Sequence, residues 1–302
     1  MKPSILPLRN ASLSALILGL ATLIGASTPW SLRTYFGPAA TIGRGTLQTY
    51  VSFASGGAPT ALGVTLTSGA LKGLPARKNT HSRCYDLDGN ADYSPQECLG
   101  DEERILEFPA EAAAMAELPF RWLTVNWNAE GHHPPPPRPG EQPAAPVYAR
   151  PHFDFHFYTW ERERIEAIAP GRCSELVDCS DFERATTPIP AKYMPAGHVD
   201  LGIVVPRMGN HLLDSHSPEL APSPQPFTRT FIYGAFDGEL IFWEPMITLD
   251  FLRRTTNGCF EIAQPRTFKR SGYYPTQYCV RYDKSSDRHS VSLEGFVYAI
   301  GR

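Results

Sequence analysis

The segment from His152 to Tyr158 alternates polar and aromatic side chains without interruption. Because successive side chains of a strand point to opposite faces, a strand here places three phenylalanines on one face and four polar groups on the other. The polar face carries two imidazoles, a carboxylate and a phenol, from His152, Asp154, His156 and Tyr158. These groups suit a metal site, a general acid/base site or the wall of a polar cavity.

Histidine lies close to glycine in two further segments, at Gly131-His132 and at Gly209-Asn210-His211. Glycine permits a sharp turn or a close backbone approach, so each histidine can be directed from a loop into a cavity. A metal held by nitrogen and oxygen usually takes three or four ligands from separate elements. The candidate metal ligands are therefore His152, Asp154, His156, His211 and His132.

Strand geometry limits which of these residues can share one ion. Side chains two positions apart are about 7 Å apart and can converge, whereas the two histidines of the strand are about 13 Å apart and converge poorly. We therefore expect Asp154 and one neighbouring histidine to share an ion with His211, joined by His132 or Glu244.

The chemistry of the pocket has two interpretations. In an enzyme, Glu244 would be the general acid/base, and Tyr158 would donate a hydrogen bond to charge that develops on the substrate. Zinc would favour hydrolysis and iron would favour an oxygen-dependent reaction. Manganese is a third candidate metal. In a non-enzymatic stress-response protein, the same polar groups would form a hydrogen-bonded network around a small-molecule ligand.

Oxygen-bearing side chains between Cys84 and Cys98 follow the spacing of a calcium loop, with oxygens at loop positions 1, 3, 5, 7, 9 and 12. Position 6 is Ala91, where such a loop prefers glycine. The segment is therefore either a calcium site or an acidic, solvated loop closed by a cystine. The candidate ligands are Asp86, Asp88, Asn90, Asp92 and Glu97.

The N-terminus has the pattern of a secretory signal, with Lys2 and Arg9 ahead of the apolar stretch Ser12–Gly25. Cleavage is expected after Ala26 or Ser27, and no later apolar run approaches the roughly 20 residues of a membrane helix. The pattern predicts a periplasmic or secreted protein with no stable membrane span after cleavage.

Six cysteines in an exported chain indicate three disulfides. Six cysteines allow 15 connectivities, and the sequence spacing favours pairing between neighbours. The expected pairs are Cys84 with Cys98, Cys173 with Cys179, and Cys259 with Cys279.

The charge of the chain argues against a nucleic-acid partner. Its formal charge is −3, and no basic run or cluster of arginines and aromatics provides a footprint for a phosphate backbone.

Frequent prolines and glycines separate segments rich in β-branched and aromatic residues, which predicts a β-rich α+β fold with an antiparallel sheet or barrel-like core. A few short helices and long proline-rich loops complete it. We expect residues 1–26 to be a signal peptide, 27–44 a linker, and 45–302 a single domain with loop insertions at about 80–100 and 133–146. The predicted strands are Thr46–Phe53, Leu62–Leu66, Trp122–Trp127, His152–Tyr158, Val199–Val205, Thr230–Phe236, Leu240–Met246, Tyr278–Tyr282 and Ser290–Ile300.

Local signals make two further predictions. Asp237-Gly238 between two strand segments indicates a hairpin with a type I′ turn. The predicted helices are Pro109–Glu117, Trp160–Ala169 and a turn over Leu249–Arg254, capped by Thr248 or Asp250.

Several of these segments together resemble an uncharacterised bacterial exported domain family, typified by a thermophile protein regulated with an extracytoplasmic stress sigma factor. The resemblance runs from about Gly45 to at least Leu252. It implies an exported protein and a ring-like homo-oligomer, and it implies no particular activity. The segments that carry it are Gly63-Val64, Leu71–Pro75, Asn126-Trp127-Asn128, Gly131-His132, Pro151–Tyr158, Met208–His211 and Gly238–Met246.

Overall fold

Strands dominate the computed structural model, which describes residues 32–133, 145–173 and 176–302. The predicted signal peptide and residues 134–144 of the proline-rich run lie outside the described residues. The strands are β1 (Arg33–Ile42), β2 (Gly45–Phe53), β3 (Pro59–Thr67), β4 (Glu102–Glu107), β5 (Trp122–Asn128), β6 (His152–Tyr158), β7 (Pro170–Cys173), β8 (His198–Val205), β9 (Gly209–Asp214), β10 (Arg229–Phe236), β11 (Glu239–Thr248), β12 (Asn257–Glu261), β13 (Gly272–Tyr274), β14 (Gln277–Asp283), β15 (Arg288–Glu294) and β16 (Val297–Ala299). The helices are α1 (Ala110–Ala114), α2 (Arg162–Glu166), α3 (Cys179–Ala185) and α4 (Leu249–Arg254).

The strands form two large antiparallel sheets. One has seven strands in the order β4-β5-β6-β11-β10-β9-β8, the other has six in the order β1-β2-β3-β15-β14-β12, and β13 pairs with β16. This arrangement confirms a β-rich α+β fold with antiparallel sheets. Within the described ranges, the edge strands of both large sheets have no further strand beside them. Of the two predicted cores, these residues therefore form the open antiparallel sheet and not the barrel-like one.

Strand β6 is buried on both faces. Its phenylalanines, Phe153, Phe155 and Phe157, have no exposed surface and share a core with residues of the six-stranded sheet such as Leu62 and Val291. The histidine face lies beside a second apolar cluster, which includes side chains from α2 and α3. The sequence pattern did not determine which face of this strand points into the protein, and the structure shows that both faces do.

Local sequence signals located the elements nearest the site. Strand β6 has the predicted bounds, and β10 and β11 form the predicted hairpin. Asp237 and Gly238 have φ values of 49° and 67°, as a type I′ turn requires. Helix α4 has the predicted bounds, and the Thr248 hydroxyl accepts a hydrogen bond from the amide of Phe251 at 3.3 Å.

Two sequence assignments are wrong. Strand β1 occupies most of the segment assigned to a linker; Gly37 and Pro38 interrupt its pattern, and the sheet edge accommodates them at a shift of register. The single strand predicted over Ser290–Ile300 divides into β15 and β16, because Gly295 turns the chain with a φ of 63°.

All three expected disulfides are present, joining Cys84 to Cys98, Cys173 to Cys179 and Cys259 to Cys279. None of the helices in the described ranges has the length and apolar character needed to cross a membrane.

Candidate metal centre

Strand pairing assembles the site on the histidine face of the seven-stranded sheet. Strand β6 lies between β5 and β11, and β10 connects β11 to β9, which carries His211. His211 therefore lies on a strand rather than on the loop that its neighbouring glycine suggested. On β5, Thr124 is directly opposite His156 and Asn126 is directly opposite Asp154.

The first candidate group consists of His156, His211 and Glu244. The Nε2 atom of His156 lies 3.5 Å from one oxygen of Glu244, and that of His211 lies 3.9 Å from the other. One ligand atom from each residue lies within 4.8 Å of the other two. All three residues are buried, with exposed fractions of 1%, 8% and 1%. Ligands bound at about 2.1 Å around one tetrahedral ion would be separated by about 3.4 Å, so a small contraction would enclose a metal.

Backbone contacts determine which nitrogen of His211 faces the carboxylate. Its Nδ1 atom lies 3.1 Å from the carbonyl oxygen of Ile203, which can only accept a hydrogen bond. The proton is therefore on Nδ1, and Nε2 directs a lone pair towards Glu244. The Nδ1 atom of His156 lies 3.1 Å from the Thr124 hydroxyl, which can accept the Nδ1 proton and so leave the Nε2 lone pair of His156 facing Glu244.

The electrostatics of the first group favour neutral side chains. Burial lowers the pKa of His156 well below its ordinary value and lowers the pKa of His211 to about 4. Burial, reinforced by the charge of Asp154, raises the pKa of Glu244 well above its ordinary value. The short separations are therefore not ion pairs between imidazolium and carboxylate.

Two atoms of this group also lack hydrogen-bond partners. Within the described ranges, the Nε2 of His156 and one carboxylate oxygen of Glu244 are buried without one. Lone pairs and a carboxyl group converging in this way are the donor set of a divalent cation, whose charge would favour the ionised form of Glu244.

The second candidate group consists of His132, His152 and Asp154. The Nε2 of His152 lies 3.1 Å from one oxygen of Asp154, and the Nε2 of His132 lies 3.2 Å from the other. Burial alone would raise the pKa of Asp154, but the charges of His152 and His132 outweigh it and hold that pKa well below its ordinary value. Asn128 also donates a hydrogen bond to this carboxylate at 2.6 Å. The Nε2 of His152 and the Asp154 oxygen facing it form no hydrogen bond of ordinary geometry within the described ranges, so this group can also accept a cation. The bonds to the other oxygen also allow it to persist as a hydrogen-bonded network.

The structure divides the predicted ligands differently from the sequence argument. Asp154 lies with His152 and His132, while His156 lies with His211. Glu244, predicted as a general acid/base, occupies the position of the third ligand in the first group. The expectation that one straight strand would not bring both of its histidines to one ion agrees with this division.

Tyr158 lies beside the first group. Its ring stacks on Trp122 with the ring centroids 4.2 Å apart, and its centroid is 5.9 Å from that of His156. Burial raises the pKa of its hydroxyl well above the ordinary value, so the group stays a neutral donor. That hydroxyl is buried and makes no hydrogen bond of ordinary geometry within the described residues, although the Thr124 side chain lies close enough to interact with it.

Arg83 is a buried charge that sequence reasoning missed. Its guanidinium lies 3.0 Å from the carboxylate of Asp101 and 3.3 Å from that of Glu103. It also donates a hydrogen bond to the carbonyl of Pro206, next to the Met-Gly-Asn-His segment. The sequence places Arg83 next to Cys84, at the start of the predicted disulfide loop. No local pattern indicated that this residue contacts the seven-stranded sheet, so its role was not predicted.

The candidate calcium loop brings together Asp86, Asp88 and Glu97, with one oxygen of each within 4.8 Å of the others. Asp92 is not in this group, whereas the side-chain amide of Asn90 adjoins it and donates a hydrogen bond to Asp88 at 2.8 Å. The carboxylate of Glu97 accepts hydrogen bonds from the amides of Leu87 and Ser94, so internal contacts already use its oxygens. Calcium binding at this loop stays a prediction.

No protein-family model, curated protein or solved structure matches the chain. The family resemblance therefore stays a prediction, and the geometry of the site carries the functional argument.

Proposed function

We propose that this chain is an exported metalloprotein that binds one divalent transition-metal ion through His156, His211 and Glu244. The observation that carries the proposal is the convergence of ligand atoms from three residues that are all buried, whereas the second group includes the exposed His132. The three disulfides are compatible with export, since such bonds persist in oxidising compartments.

Two imidazoles and one carboxylate suit zinc, iron(II) or manganese, and three protein ligands leave coordination positions open. A zinc ion would act as a Lewis acid in hydrolysis, whereas an iron ion would support oxygen-dependent chemistry. We therefore favour a metal-dependent enzyme acting on a small molecule.

The residues of the chain have separate tasks in this proposal. His211 is held by the Ile203 carbonyl and His156 by the Thr124 hydroxyl, so both rings are oriented before a metal arrives. The Tyr158 hydroxyl, a neutral donor, would stabilise negative charge that develops on a substrate. Glu244 acts as a ligand, and this differs from the general acid/base role that its position in the sequence suggested.

A second candidate function is that of a non-enzymatic ligand-binding or stress-response protein with a structural metal. The observation favouring it is the low exposure of the ligands, from 1% to 8%, because an ion that substrate cannot reach would have a structural role. A labile water ligand on the bound metal, detected by anion binding at a cobalt(II)-substituted site, would favour the enzyme.

The test is elemental mass spectrometry of the full-length protein purified from its export compartment without an affinity tag. We expect near-stoichiometric zinc, iron or manganese in the wild type and loss of that metal in His156→Ala and His211→Ala. His216→Ala is the matched control, because that histidine has 79% of its side chain exposed and lies outside both groups. Folded wild-type protein without metal, also after incubation with each of the three ions, would refute the proposal.

A further inference from the structure

The solvent-facing side of the six-stranded sheet forms a groove that is separate from the candidate metal centre. Its cavity volume is about 830 Å³, within the range of pockets that bind organic ligands. Phe36 and Tyr50 form one wall, on β1 and β2, and Arg281 and Asn257 form the other, on β14 and β12. A ligand in this groove would lie across the sheet on the face opposite the phenylalanine core.

Small side chains on the central strands make the floor of the groove low. Pairing places Gly63 of β3 opposite both Tyr50 and Ser292, and it places Thr65 opposite Ser290. A Cβ atom added at Gly63 would lie 2.7 Å from the Cβ of Ser292 and 2.4 Å from the carbonyl oxygen of Val291. A larger residue does not fit at this position, so the depression is a property of the sequence.

The charges in the groove are balanced. Arg281 forms an ion pair with Glu294, and the second hydrogen bond of this pair measures 2.9 Å. Asp283 accepts hydrogen bonds from Ser285 and Ser286. Arg288 also lines the groove, so Arg281 and Arg288 balance the charges of Asp283 and Glu294. A groove without net formal charge favours an uncharged ligand that offers hydroxyl groups over an anion or a polycation.

Aromatic and polar groups occur together along the groove. The Phe36 side chain is 56% exposed, and its ring centroid lies 6.3 Å from that of Tyr50. Beyond these rings, Gln48, Thr65 and Asn257 contribute amide and hydroxyl groups to the lining of the groove. The groove thus offers an apolar ring face next to hydrogen-bonding groups.

We propose that this groove binds a neutral oligosaccharide. A sugar ring has an apolar C–H face that packs on an aromatic ring, and its edge presents hydroxyls that both donate and accept hydrogen bonds. The exposed Phe36 ring would support the apolar face. The hydroxyl, amide and guanidinium groups across the floor and far wall would bind the edge.

The proposal is tested by isothermal titration calorimetry of the full-length protein with four neutral hexasaccharides: cellohexaose, xylohexaose, mannohexaose and chitohexaose. We expect at least one of them to bind. The Phe36→Ala variant should weaken that binding about tenfold or more, because the stacking surface is lost. Asn257→Ala, an exposed change on the opposite wall, should weaken it independently.

Tyr298→Ala is the matched control. It removes an aromatic side chain that is 52% exposed and lies on β16, outside the groove, so it should leave binding unchanged. Absence of binding by all four neutral sugars would overturn the proposal, as would binding restricted to an anionic oligogalacturonate. Equal affinities of the wild type and both groove variants would overturn it as well. Because the groove lies on the other sheet, these outcomes do not depend on metal content.

Discussion

The hydroxyl of Thr124 is expected to control metal affinity through His156 without touching the metal. Thr124 is 2% exposed, lies opposite His156 on the neighbouring strand, and has its Oγ1 atom 3.1 Å from Nδ1 of the ring. With the hydroxyl accepting the Nδ1 proton, the Nε2 lone pair faces Glu244. Thr124→Val removes this contact and nearly preserves the side-chain volume.

The size of the effect follows from the role of the contact. Removing an outer partner that orients a metal-bound histidine typically costs 10- to 100-fold in metal affinity, or about 1.4 to 2.7 kcal/mol. The loss of one hydrogen bond should lower the free energy of unfolding by only about 1 kcal/mol, so the protein should remain folded.

The assay is competition for zinc between the metal-depleted protein and a chromophoric chelator, accompanied by urea unfolding. Thr124→Ser, which keeps the hydroxyl, is the matched control and should retain affinity within about threefold. Wild-type zinc affinity in Thr124→Val would refute the orienting role. Equal losses in the Val and Ser variants would also refute it, because the hydroxyl would then not be the cause.

Three further predictions concern buried charge, pH and the tyrosine hydroxyl. Arg83→Met should lower the free energy of unfolding by about 3–5 kcal/mol, because it leaves two carboxylates without their cation. The control Arg162→Met, at an exposed ion pair, should lower it by less than about 1 kcal/mol. Equal losses for the two variants in urea unfolding would contradict this prediction. The metal-free protein should become less stable as pH falls from about 6.5 to 4. Burial lowers the pKa of His211 to about 4, which accounts for a loss of up to about 3 kcal/mol; the lowered pKa of His156 adds to this loss and the raised pKa of Glu244 opposes it. Unfolding free energies that are constant or rise on acidification would contradict this balance. Tyr158→Phe should keep metal content, and it should change stability by no more than about 0.5 kcal/mol, because the hydroxyl makes no hydrogen bond of ordinary geometry with a described residue. A loss above about 1 kcal/mol would show that the nearby Thr124 is its structural partner.

Local signals explain the parts of the fold that the sequence predicted correctly. The alternation from His152 to Tyr158, the Asp237-Gly238 turn and the Thr248 cap each act over a few residues, and each appears where expected. Strands with weak local patterns were missed. Strand β4 is rich in charge at a sheet edge, where solvent accepts such side chains, and β1 contains a proline at an irregular edge.

The composition of the site depended on long-range pairing. His211 reaches the centre only because β9 pairs with β10, which in turn pairs with β11 and Glu244. No spacing within one segment determines this order of strands, so the sequence identified most of the ligands without dividing them correctly between two groups.

X-ray absorption spectroscopy of the metal-loaded, full-length protein is the measurement that distinguishes the proposed centre from other sites most directly. Binding through His156, His211 and Glu244 predicts about two imidazoles and additional oxygen at about 2.0–2.2 Å, with one imidazole lost in His211→Ala. A sulfur shell near 2.3 Å would contradict the assignment, as would an all-oxygen shell or a spectrum unchanged in His211→Ala.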